Sequence, residues 1–343
     1  MNIIYIHHRS QHHAKNSGYG RLVDYVDSQV IFGKVKFPFR IAKIFAGFYS
    51  QAKGNYNVGS VLKSIELFLT LRKTKGQKNV VHFLNGERDI RHIGFFKRKF
   101  PNTRFCATFH KPPEILKKTI TDISALRKLD GVIAVGANQV DFLKEWLQLE
   151  NVVYIPHGVE TDFFKPDLSL KQTNTLLFVG QHLRDFKAFN YCIPEIAEKI
   201  KELKVNVVVH PAYAKKIEPH PSIKIHSGVN DVQLLNFYNE ASLLFLPLID
   251  VTACNSILEA LSCGLPIVSS QVGGNSAYLE NTKNVLLPKG EFDKYIEAIV
   301  ELLQQPESAL KIGVSSIEKA LGYDWVPIGQ RVSQFYKTLN NRC

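Results

Sequence analysis

Short runs of apolar residues alternate along the chain with amphipathic segments of helical length. The runs are nearly continuous in Val, Ile, Leu and Phe, a pattern typical of strands in a parallel sheet that is covered on both faces. In the first half the pattern predicts strands at Asn2–His8, Asn79–Leu84, Arg104–His110, Gly131–Val135 and Asn151–Pro156. In the second half it predicts strands at Thr175–Val179, Val205–His210, Ile223–His226, Ser242–Leu248, Pro266–Ser270 and Asn284–Pro288.

Between these strands the spacing of apolar residues predicts helices, among them Ser60–Lys73, Tyr191–Lys204 and Phe292–Gln304. Alternation of strands and helices is typical of doubly wound α/β units with parallel sheets. Pro, Gly and turn residues fall between two strands over residues 156–167, which predicts the seam there. We therefore predict one domain over residues 1–157 and a second over residues 158–325.

Length and composition agree with a soluble two-domain protein. The chain has 343 residues, 45% of them hydrophobic and 22% charged. Its apolar runs are too short to span a bilayer, and its first residues lack the basic start and long apolar core of a secretion signal. The five cysteines are widely spaced, without a CxxC pair, which indicates reduced thiols in the cytoplasm and argues against a zinc site.

The positive charge is concentrated in the first half of the chain. Residues 1–165 carry 26 Lys and Arg against 13 Asp and Glu, whereas the remainder is close to balance. Residues 31–53 mix Phe with basic residues and contain no acidic residue, a composition that suits the headgroups of an anionic membrane. Nucleic acid is not the expected partner, because zinc-finger spacing and RNA-recognition aromatic motifs are missing from the sequence. The predicted membrane or acceptor surface consists of Lys34, Lys36, Arg40 and Lys43.

A different interpretation of the same segment stays open. Aromatic residues are more often packed than displayed, so Phe37, Phe39, Phe45 and Phe48 could belong to the core of an irregular segment.

The first strand leads into a glycine-containing loop, in which Gly18 and Gly20 would let backbone N–H groups approach an anion. The alternative is a tight turn without a ligand, and both interpretations place a helix directly after the loop. Histidines stand at positions 7, 8, 12 and 13 nearby, but they run from strand into loop without helical register. We therefore expect no metal site there.

Ligands of doubly wound sheets bind beyond the carboxyl ends of the strands. His110 closes one predicted strand and would reach such a site, although a purely structural histidine is the alternative. After the strand at Thr175–Val179 come Gly180, Arg184 and Lys187. A close backbone and two cations are what a diphosphate leaving group requires.

The longest candidate motif follows the strand that ends at Leu248. A helix is predicted to begin near Asn255 and to end at Gly264. The N–H groups at its start, from Asn255, Ser256 and Ile257, can bind phosphate. Glu259 stands one turn in and can accept hydrogen bonds from hydroxyl groups.

The residues 258–268, LEALSCGLPIV, followed by Gly273 and Gly274, resemble the nucleotide-sugar signature of glycosyltransferase family 4, the retaining enzymes of the GT-B fold. Residues 155–166, IPHGVETDFFKP, resemble the segment between the two domains of that family. Tyr323-Asp324-Trp325 and the helix that follows resemble its closing element.

The resemblance implies two Rossmann-like domains facing a cleft, with the sugar nucleotide on the C-terminal domain, the acceptor on the basic N-terminal domain, and residues 326–343 returning to the N-terminal domain. It implies that Arg184 and Lys187 stabilise the leaving diphosphate, that Glu259 binds the ribose, and that His110 lies beside the transferred sugar. The loop with Gly18 and Gly20 would close over the phosphates. The resemblance also implies transfer with retention and without a metal or other cofactor.

Two positions depart from the family pattern. Val251 stands where the family has a first glutamate, and Gln181 stands where it has an arginine after the strand glycine. Asp250 and Arg184 are the nearest replacements, so Asp250 joins the predicted donor-binding residues.

The expected function is transfer of a sugar from a UDP- or GDP-sugar to a lipid-linked or oligosaccharide acceptor in bacterial lipopolysaccharide, capsule or exopolysaccharide synthesis. The expected location is the inner face of the cell membrane. Two other classes stay open: a catalytically silent protein that binds a nucleotide sugar or a partner enzyme, and a sugar-nucleotide epimerase.

Overall fold

The computed structural model describes residues 1–8, 15–48 and 52–341. These residues form two compact α/β units. The first unit contains residues 1–8, 19–48, 52–157 and 325–341, and the second contains residues 15–18 and 158–324. His12 and His13, part of the histidine group for which no metal was expected, lie outside the described residues.

The first unit is built on a six-stranded parallel sheet with the strand order β2-β1-β3-β4-β5-β6. Its strands are β1 (Asn2–Ile6), β2 (Gln29–Ile31), β3 (Asn79–Phe83), β4 (Thr103–Phe109), β5 (Gly131–Ala134) and β6 (Val152–Tyr154). Its helices are α1 (Phe39–Gly47), α2 (Val58–Lys73), α3 (Ile93–Lys99), α4 (Pro113–Thr119) and α5 (Val140–Leu147), together with α13 (Trp325–Asn341) from the end of the described chain.

The central strands of this sheet are buried because most of their side chains are apolar. All five residues of β3 are buried, and Val81 and Phe105 belong to the central core cluster. Helix α2 begins where Asn57 accepts the N–H of Ser60 and the Ser60 hydroxyl accepts the N–H of Asn57, a reciprocal cap that satisfies two free N–H groups.

The second unit repeats the architecture with the strand order β12-β11-β10-β7-β8-β9. Its strands are β7 (Thr175–Val179), β8 (Lys204–Val208), β9 (Ile223–His226), β10 (Leu243–Leu246), β11 (Ile267–Ser270) and β12 (Val285–Leu287). Its helices are α6 (Phe186–Lys199), α7 (Pro211–Ala214), α8 (Asp231–Glu240), α9 (Asn255–Ser262), α10 (Asn275–Leu279), α11 (Phe292–Gln304) and α12 (Pro306–Leu321).

The prediction of two doubly wound units with parallel sheets is confirmed, and every predicted strand is present. Strand β2 was not predicted, because it has three residues of which Ile31 alone is buried.

Two predicted helices differ from the structure. Helix α6 runs from 186 to 199 rather than from 191 to 204, since Asp185 caps it by accepting the N–H of Ala188 and Lys204 already begins β8. The helix expected after the glycine loop is a 3-10 helix at Tyr19–Asp24.

Candidate functional site

The strand order reverses in the second unit between β7 and β10, and ligands of such sheets bind at this switch point. The loops that leave these two strands pair with each other. Asp185 donates its N–H to the Pro247 carbonyl at 2.9 Å, and Ile249 donates to the Leu183 carbonyl at 2.9 Å. The two sequence segments with the predicted donor-binding residues therefore meet at one edge of the sheet.

Gly180 follows β7 with a φ of +83°, and the Arg184 side chain turns back across it. A Cβ at position 180 would lie 2.9 Å from the Arg184 Nη2 atom, a distance that side chains do not tolerate. Glycine is thus required both for the backbone turn and for the position of the guanidinium.

Arg184 is buried, and protein atoms hold its guanidinium on three sides. Nε donates to the Val179 carbonyl at 2.9 Å and Nη1 donates to the His182 carbonyl at 3.0 Å. Nη2 lies 3.3 Å from the Ser256 hydroxyl, at the start of α9. A buried cation is therefore fixed against the first turn of a helix.

This arrangement favours an anion. The first N–H groups of α9, on Asn255 and Ser256, precede any intrahelical acceptor, and the helix dipole makes this end positive. A guanidinium beside the positive end of a helix is unfavourable unless a negative group lies between them. Ile257, the third residue predicted to bind phosphate, already donates its N–H to the Cys254 carbonyl at 3.1 Å and packs its side chain in the core.

Glu259 lies one turn further along α9 and is 3% exposed. Its Oε1 accepts the Ser17 hydroxyl at 2.5 Å, and its Oε2 accepts the Tyr238 hydroxyl at 2.8 Å. Burial raises the pKa of the Glu259 carboxyl, while the hydrogen bonds from Ser17 and Tyr238 oppose this rise. The carboxylate is therefore already bound by two hydroxyl groups, the kind of ligand that its predicted role requires.

The loop between β10 and α9 contains a residue that sequence reasoning missed. Thr252 is 2% exposed, and its hydroxyl has no hydrogen-bond partner among the described residues. Its only sequence signal is its place between Asp250 and Asn255. Asp250 accepts the N–H of Val251 at 2.7 Å, and Gly274 donates to the Val251 carbonyl at 2.8 Å, so this loop lies against the glycine pair after β11.

The remaining predicted donor-site residues have ordinary surroundings. Lys187 is exposed on the first turn of α6. Gln181, at the position of the family's arginine, accepts the His210 N–H at 3.4 Å.

Among the described residues of the second unit, two concavities can be compared. The larger, of about 530 Å³, lies between β9 and α8 and is lined by His226, Phe237 and their neighbours, away from the predicted residues. The smaller is lined by Ser17, Gly18, Asn255 and Glu259, among others, but its volume is only about 10 Å³. Three of the predicted donor-binding residues, Gly18, Asn255 and Glu259, thus line the smaller, nearly filled pocket.

In the first unit, His110 directly follows β4 and is half-buried. Its Nε2 lies 2.7 Å from the Leu84 carbonyl, which can only accept, so Nε2 carries a proton. Glu87 accepts the N–H groups of His110 and Lys111 at 2.7 and 2.8 Å and thereby fixes the backbone at the end of the strand. The Tyr19 ring packs edge-on against His110 at 4.8 Å.

A buried chain of hydrogen bonds runs behind His110. Tyr19 and Thr108 hydroxyls lie 3.0 Å apart, Thr108 lies 2.7 Å from His82 Nε2, and His82 Nδ1 lies 2.6 Å from the Tyr336 hydroxyl on α13. Burial lowers the pKa of His82 to about 3, so its ring is neutral. Sequence reasoning singled out none of these partners except His110.

Gly18 and Gly20 fall on different units. Gly18 lines the small pocket of the second unit, whereas Gly20 lies in the first, where a Cβ would come within 2.9 Å of the His7 ring.

The predicted membrane surface lies on α1 and the segment before it. Lys34, Lys36, Arg40 and Lys43 are all exposed. Of the four Phe residues that could have formed a core, Phe39, Phe45 and Phe48 are 65%, 50% and 76% exposed, and only Phe37 is half-buried. The interpretation of these three as core residues is therefore wrong.

Two absences concern the described residues only. Over residues 1–8, 15–48 and 52–341, no group of three His, Cys, Asp or Glu side chains could hold a metal ion. Across the same part of the chain, no helix is both long and apolar enough to cross a bilayer.

The second unit thus combines a Rossmann-like sheet with a buried arginine at a helix start and a buried carboxylate one turn further on, and doubly wound sheets of this kind are common in nucleotide-binding domains. Residues 173–305 match the family model described as glycosyl transferases group 1. Over residues 173–305 this match confirms the resemblance to glycosyltransferase family 4 that the sequence predicted.

Curated relatives align with part of the chain. A D-inositol 3-phosphate glycosyltransferase from Kribbella flavida is 26% identical over 132 residues, which cover 35% of this chain and 31% of the relative. A second D-inositol 3-phosphate glycosyltransferase, from Nocardia farcinica, is 21% identical over 253 residues, 65% of this chain and 56% of the relative. The matched regions therefore span less than two thirds of each relative.

Solved structures align over nearly the whole chain. A sucrose-phosphate synthase from Thermosynechococcus elongatus has a TM-score of 0.71 at 15% identity and covers 99% of both chains. HepE from Anabaena, solved in complex with UDP and glucose, has a TM-score of 0.68 at 13% identity over 98% of this chain and 100% of that one. At such identities the likeness concerns the fold, which is GT-B.

Proposed function

We propose that this protein transfers a sugar from a UDP- or GDP-sugar to a lipid-linked or oligosaccharide acceptor, with retention at the anomeric carbon. The observation that carries the proposal is the arrangement of Arg184 against the start of α9, with Glu259 one turn further on. One short helix then offers an anion site and a carboxylate for hydroxyl groups. A nucleoside diphosphate presents both a diphosphate and a ribose diol.

In the proposed reaction the bond between the anomeric carbon and the diphosphate breaks while the acceptor oxygen bonds to that carbon. The acceptor proton passes to the departing phosphate oxygen. Arg184, Lys187 and the helix N–H groups stabilise the charge that develops on the diphosphate. Glu259 holds the ribose, and His110 lies beside the transferred sugar.

These groups would do the electrostatic work for which other transferases use a divalent cation, so we expect no cofactor and undiminished turnover in excess EDTA. Loss of turnover in EDTA, restored by Mg²⁺ or Mn²⁺, would contradict metal independence without affecting the nucleotide site.

The first experiment is a comparison of binding and turnover with common UDP- and GDP-sugars. Arg184→Ala and Lys187→Ala should each lower turnover by roughly 10²–10³, the usual cost of one lost electrostatic contact to a transition state. Lys199→Ala is the matched control, because it removes an exposed charge from the other end of the same helix. If both site variants keep the rate of the control, the donor site is elsewhere.

Glu259→Ala tests the ribose role separately. This variant should bind free UDP or GDP more weakly than the wild-type protein, because a carboxylate that accepts ligand hydroxyls is lost. Unchanged affinity for both nucleotides would exclude that role.

The same assay separates the proposed transferase from the other two classes. A transferase releases nucleotide rapidly only when an acceptor is present, whereas an epimerase converts the donor alone and a silent protein does neither. Suitable acceptor probes are octyl glycosides and, given the curated relatives, D-inositol 3-phosphate.

We further propose that α1 docks on an anionic membrane, which would bring the protein to a lipid-linked acceptor on the inner face of the cell membrane, in assembly of a bacterial surface polysaccharide. Ile41, Ile44, Phe45 and Phe48 follow helical spacing and form one exposed apolar stripe. Ala42, on the other side, is fully buried and anchors the helix to its own unit. A basic helix with an apolar stripe turned outwards suits the interface of an anionic membrane.

The four basic residues of this surface contribute about 1 kcal/mol each near an anionic membrane, so together they supply about 4 kcal/mol, comparable to a millimolar dissociation constant. The apolar stripe adds to this value. Liposome sedimentation should show binding to anionic vesicles that is lost at high salt and in the variant with Lys34, Lys36, Arg40 and Lys43 changed to Ser. Changing Arg98, Lys99, Lys117 and Lys118 to Ser removes the same charge from other exposed sites of this unit and should leave binding largely intact. Equal binding of both variants, or equal binding to neutral vesicles, would refute the surface.

A further inference from the structure

The nucleotide site of the second unit is closed by a segment of the chain itself. Residues 15–18, which we call the strap, belong to this unit although the described residues on either side of them belong to the other. Ser17 donates its hydroxyl to Glu259 Oε1 at 2.5 Å, and Asn255 Nδ2 donates to the Ser17 hydroxyl at 3.3 Å. The strap thus places a hydroxyl group on the carboxylate assigned to the ribose.

A second set of contacts, made by Asn16 rather than at Glu259, holds the strap in place. The backbone N–H of Asn16 donates to Asp231 Oδ2 at 2.7 Å, and its side-chain amide donates to the same oxygen at 2.9 Å. Asp231 is the first residue of α8, where the helix dipole favours a carboxylate. Two hydrogen bonds to one charged oxygen are among the stronger polar contacts in proteins.

The enclosed space that remains beside Glu259 is too small for a ribose. The pocket bounded by the strap, α9 and Gly158 has a volume of about 10 Å³, which is roughly the space of one water molecule. Ligand pockets for molecules of nucleotide size measure about 300 Å³ or more. Binding of a ribose at Glu259 therefore requires that the strap leave its present position.

We propose that the strap is an internal competitor of the nucleotide: Ser17 occupies the place of a ribose hydroxyl on Glu259, and the donor binds by displacing it. The proposal rests on the proposed function, since it takes a nucleotide as the competing ligand. It implies that the measured dissociation constant of the nucleotide equals the constant for the open form divided by the fraction of molecules in which the strap is open. Weakening the strap contacts should therefore tighten nucleotide binding.

The test measures dissociation constants for UDP and GDP by titration calorimetry. Asp231→Ala removes the two contacts of Asn16 and removes neither hydrogen-bond partner of Glu259, and Ser17→Ala removes the competing hydroxyl. Each variant should bind the preferred nucleotide about tenfold more tightly, the factor expected for one lost hydrogen bond to a charged group. The double variant should gain little more, because both changes open the same strap.

Asp293→Ala is the matched control, since Asp293 is an exposed acidic residue in the first turn of α11 in the same unit. It should bind nucleotide like the wild-type protein. Weaker or unchanged binding by both Asp231→Ala and Ser17→Ala would overturn the proposal, because the strap would then be a ligand contact or irrelevant to the site.

Hydrogen exchange of the wild-type protein gives a readout without substitutions. The Asn16 amide, bonded to Asp231, should lose protection when UDP or GDP binds. Retained or increased protection would overturn the proposal. A wild-type protein that binds neither nucleotide would overturn the proposed function itself, whereas normal binding with unaffected strap variants would overturn only the competition.

Discussion

The contact between Gly180 and Arg184 allows a stability effect to be separated from an effect on the nucleotide site. In Gly180→Ala the new Cβ would lie 2.9 Å from Arg184 Nη2, and the backbone would keep an alanine at a φ of +83°. A left-handed conformation costs an alanine about 1–2 kcal/mol. The collision adds a second cost, which the guanidinium avoids by moving away from the start of α9.

Gly290→Ala is the matched control for this substitution. Gly290 has a φ of +93° in the same unit, and a Cβ there would meet no described atom within 4 Å. Both variants therefore bear the backbone cost, and only Gly180→Ala displaces Arg184. Loss of the bond from Arg184 Nε to the Val179 carbonyl would add about 1 kcal/mol to the destabilisation.

The two variants should differ far more in nucleotide binding. A hydrogen bond between a guanidinium and a phosphate contributes about 1.5–3 kcal/mol. Its loss should raise the dissociation constant of the nucleotide roughly tenfold to hundredfold. Urea unfolding gives the stability difference, and titration with UDP and GDP gives the binding difference. If Gly180→Ala binds both nucleotides as tightly as Gly290→Ala, the position of Arg184 has no part in nucleotide binding, and our assignment of the site is refuted.

Three further predictions concern the first unit. Burial lowers the pKa of His82 to about 3, whereas in the unfolded chain the pKa is near 6.5, so below pH 6.5 the unfolded chain binds a proton that the folded protein does not. The unfolding free energy of the wild-type protein should therefore fall relative to that of His82→Gln by about 3 kcal/mol between pH 6.5 and pH 4. Equal pH dependence of the two proteins in urea unfolding would contradict this. Lys63→Ala removes the 2.6 Å ion-pair partner of the buried Asp89, which keeps the Ser60 hydroxyl and a longer contact to Arg88 Nε at 3.5 Å, and should destabilise the protein by about 3 kcal/mol in urea unfolding. Lys117→Ala, at an exposed pair, should have almost no effect. Asn57→Ala removes the cap of α2 and should cost about 1 kcal/mol by the same measurement; no change would show that the cap is dispensable.

The sequence predicted the sheets well because the strands of a covered parallel sheet are apolar on both faces. Strand β4, for example, has six buried residues in a run of seven, and its observed bounds lie within one residue of the predicted ones. The pattern fails where burial does not decide the structure. Helix α6 begins five residues before its predicted start, because the side chain of Asp185 caps it there. A capping hydrogen bond is not visible in the spacing of apolar residues, on which the prediction was based.

The candidate site was predictable in part for a topological reason. Residues after the carboxyl ends of β7 and β10 meet because these strands are neighbours at a switch point, and this holds whatever their side chains are. The partners of Glu259 follow no such rule. Ser17 is 242 positions away in the sequence and Tyr238 lies on a different helix, so only the folded chain brings their hydroxyl groups together.

Exposure of α1 illustrates a second limit of the sequence. Phe39, Phe45 and Phe48 are residues of a type common in cores, and the sequence pattern allowed these side chains to be either buried or exposed. In the structure α1 contacts α2, and Ala42 is its buried residue, while its large apolar side chains are exposed.

The position of the buried cation shows why a family pattern does not transfer residue by residue. Gln181 stands at the family's arginine position, and its side chain accepts the N–H of His210 instead. Leu183 adopts a φ of +56° and accepts the N–H of Ile249, which turns the chain so that Arg184 extends back over Gly180. Although Arg184 stands four residues after Gly180 in the sequence, its guanidinium thus lies beside that glycine at the end of the strand. Spatial position at the switch point, rather than sequence position, is therefore the property by which a cation of this site should be recognised.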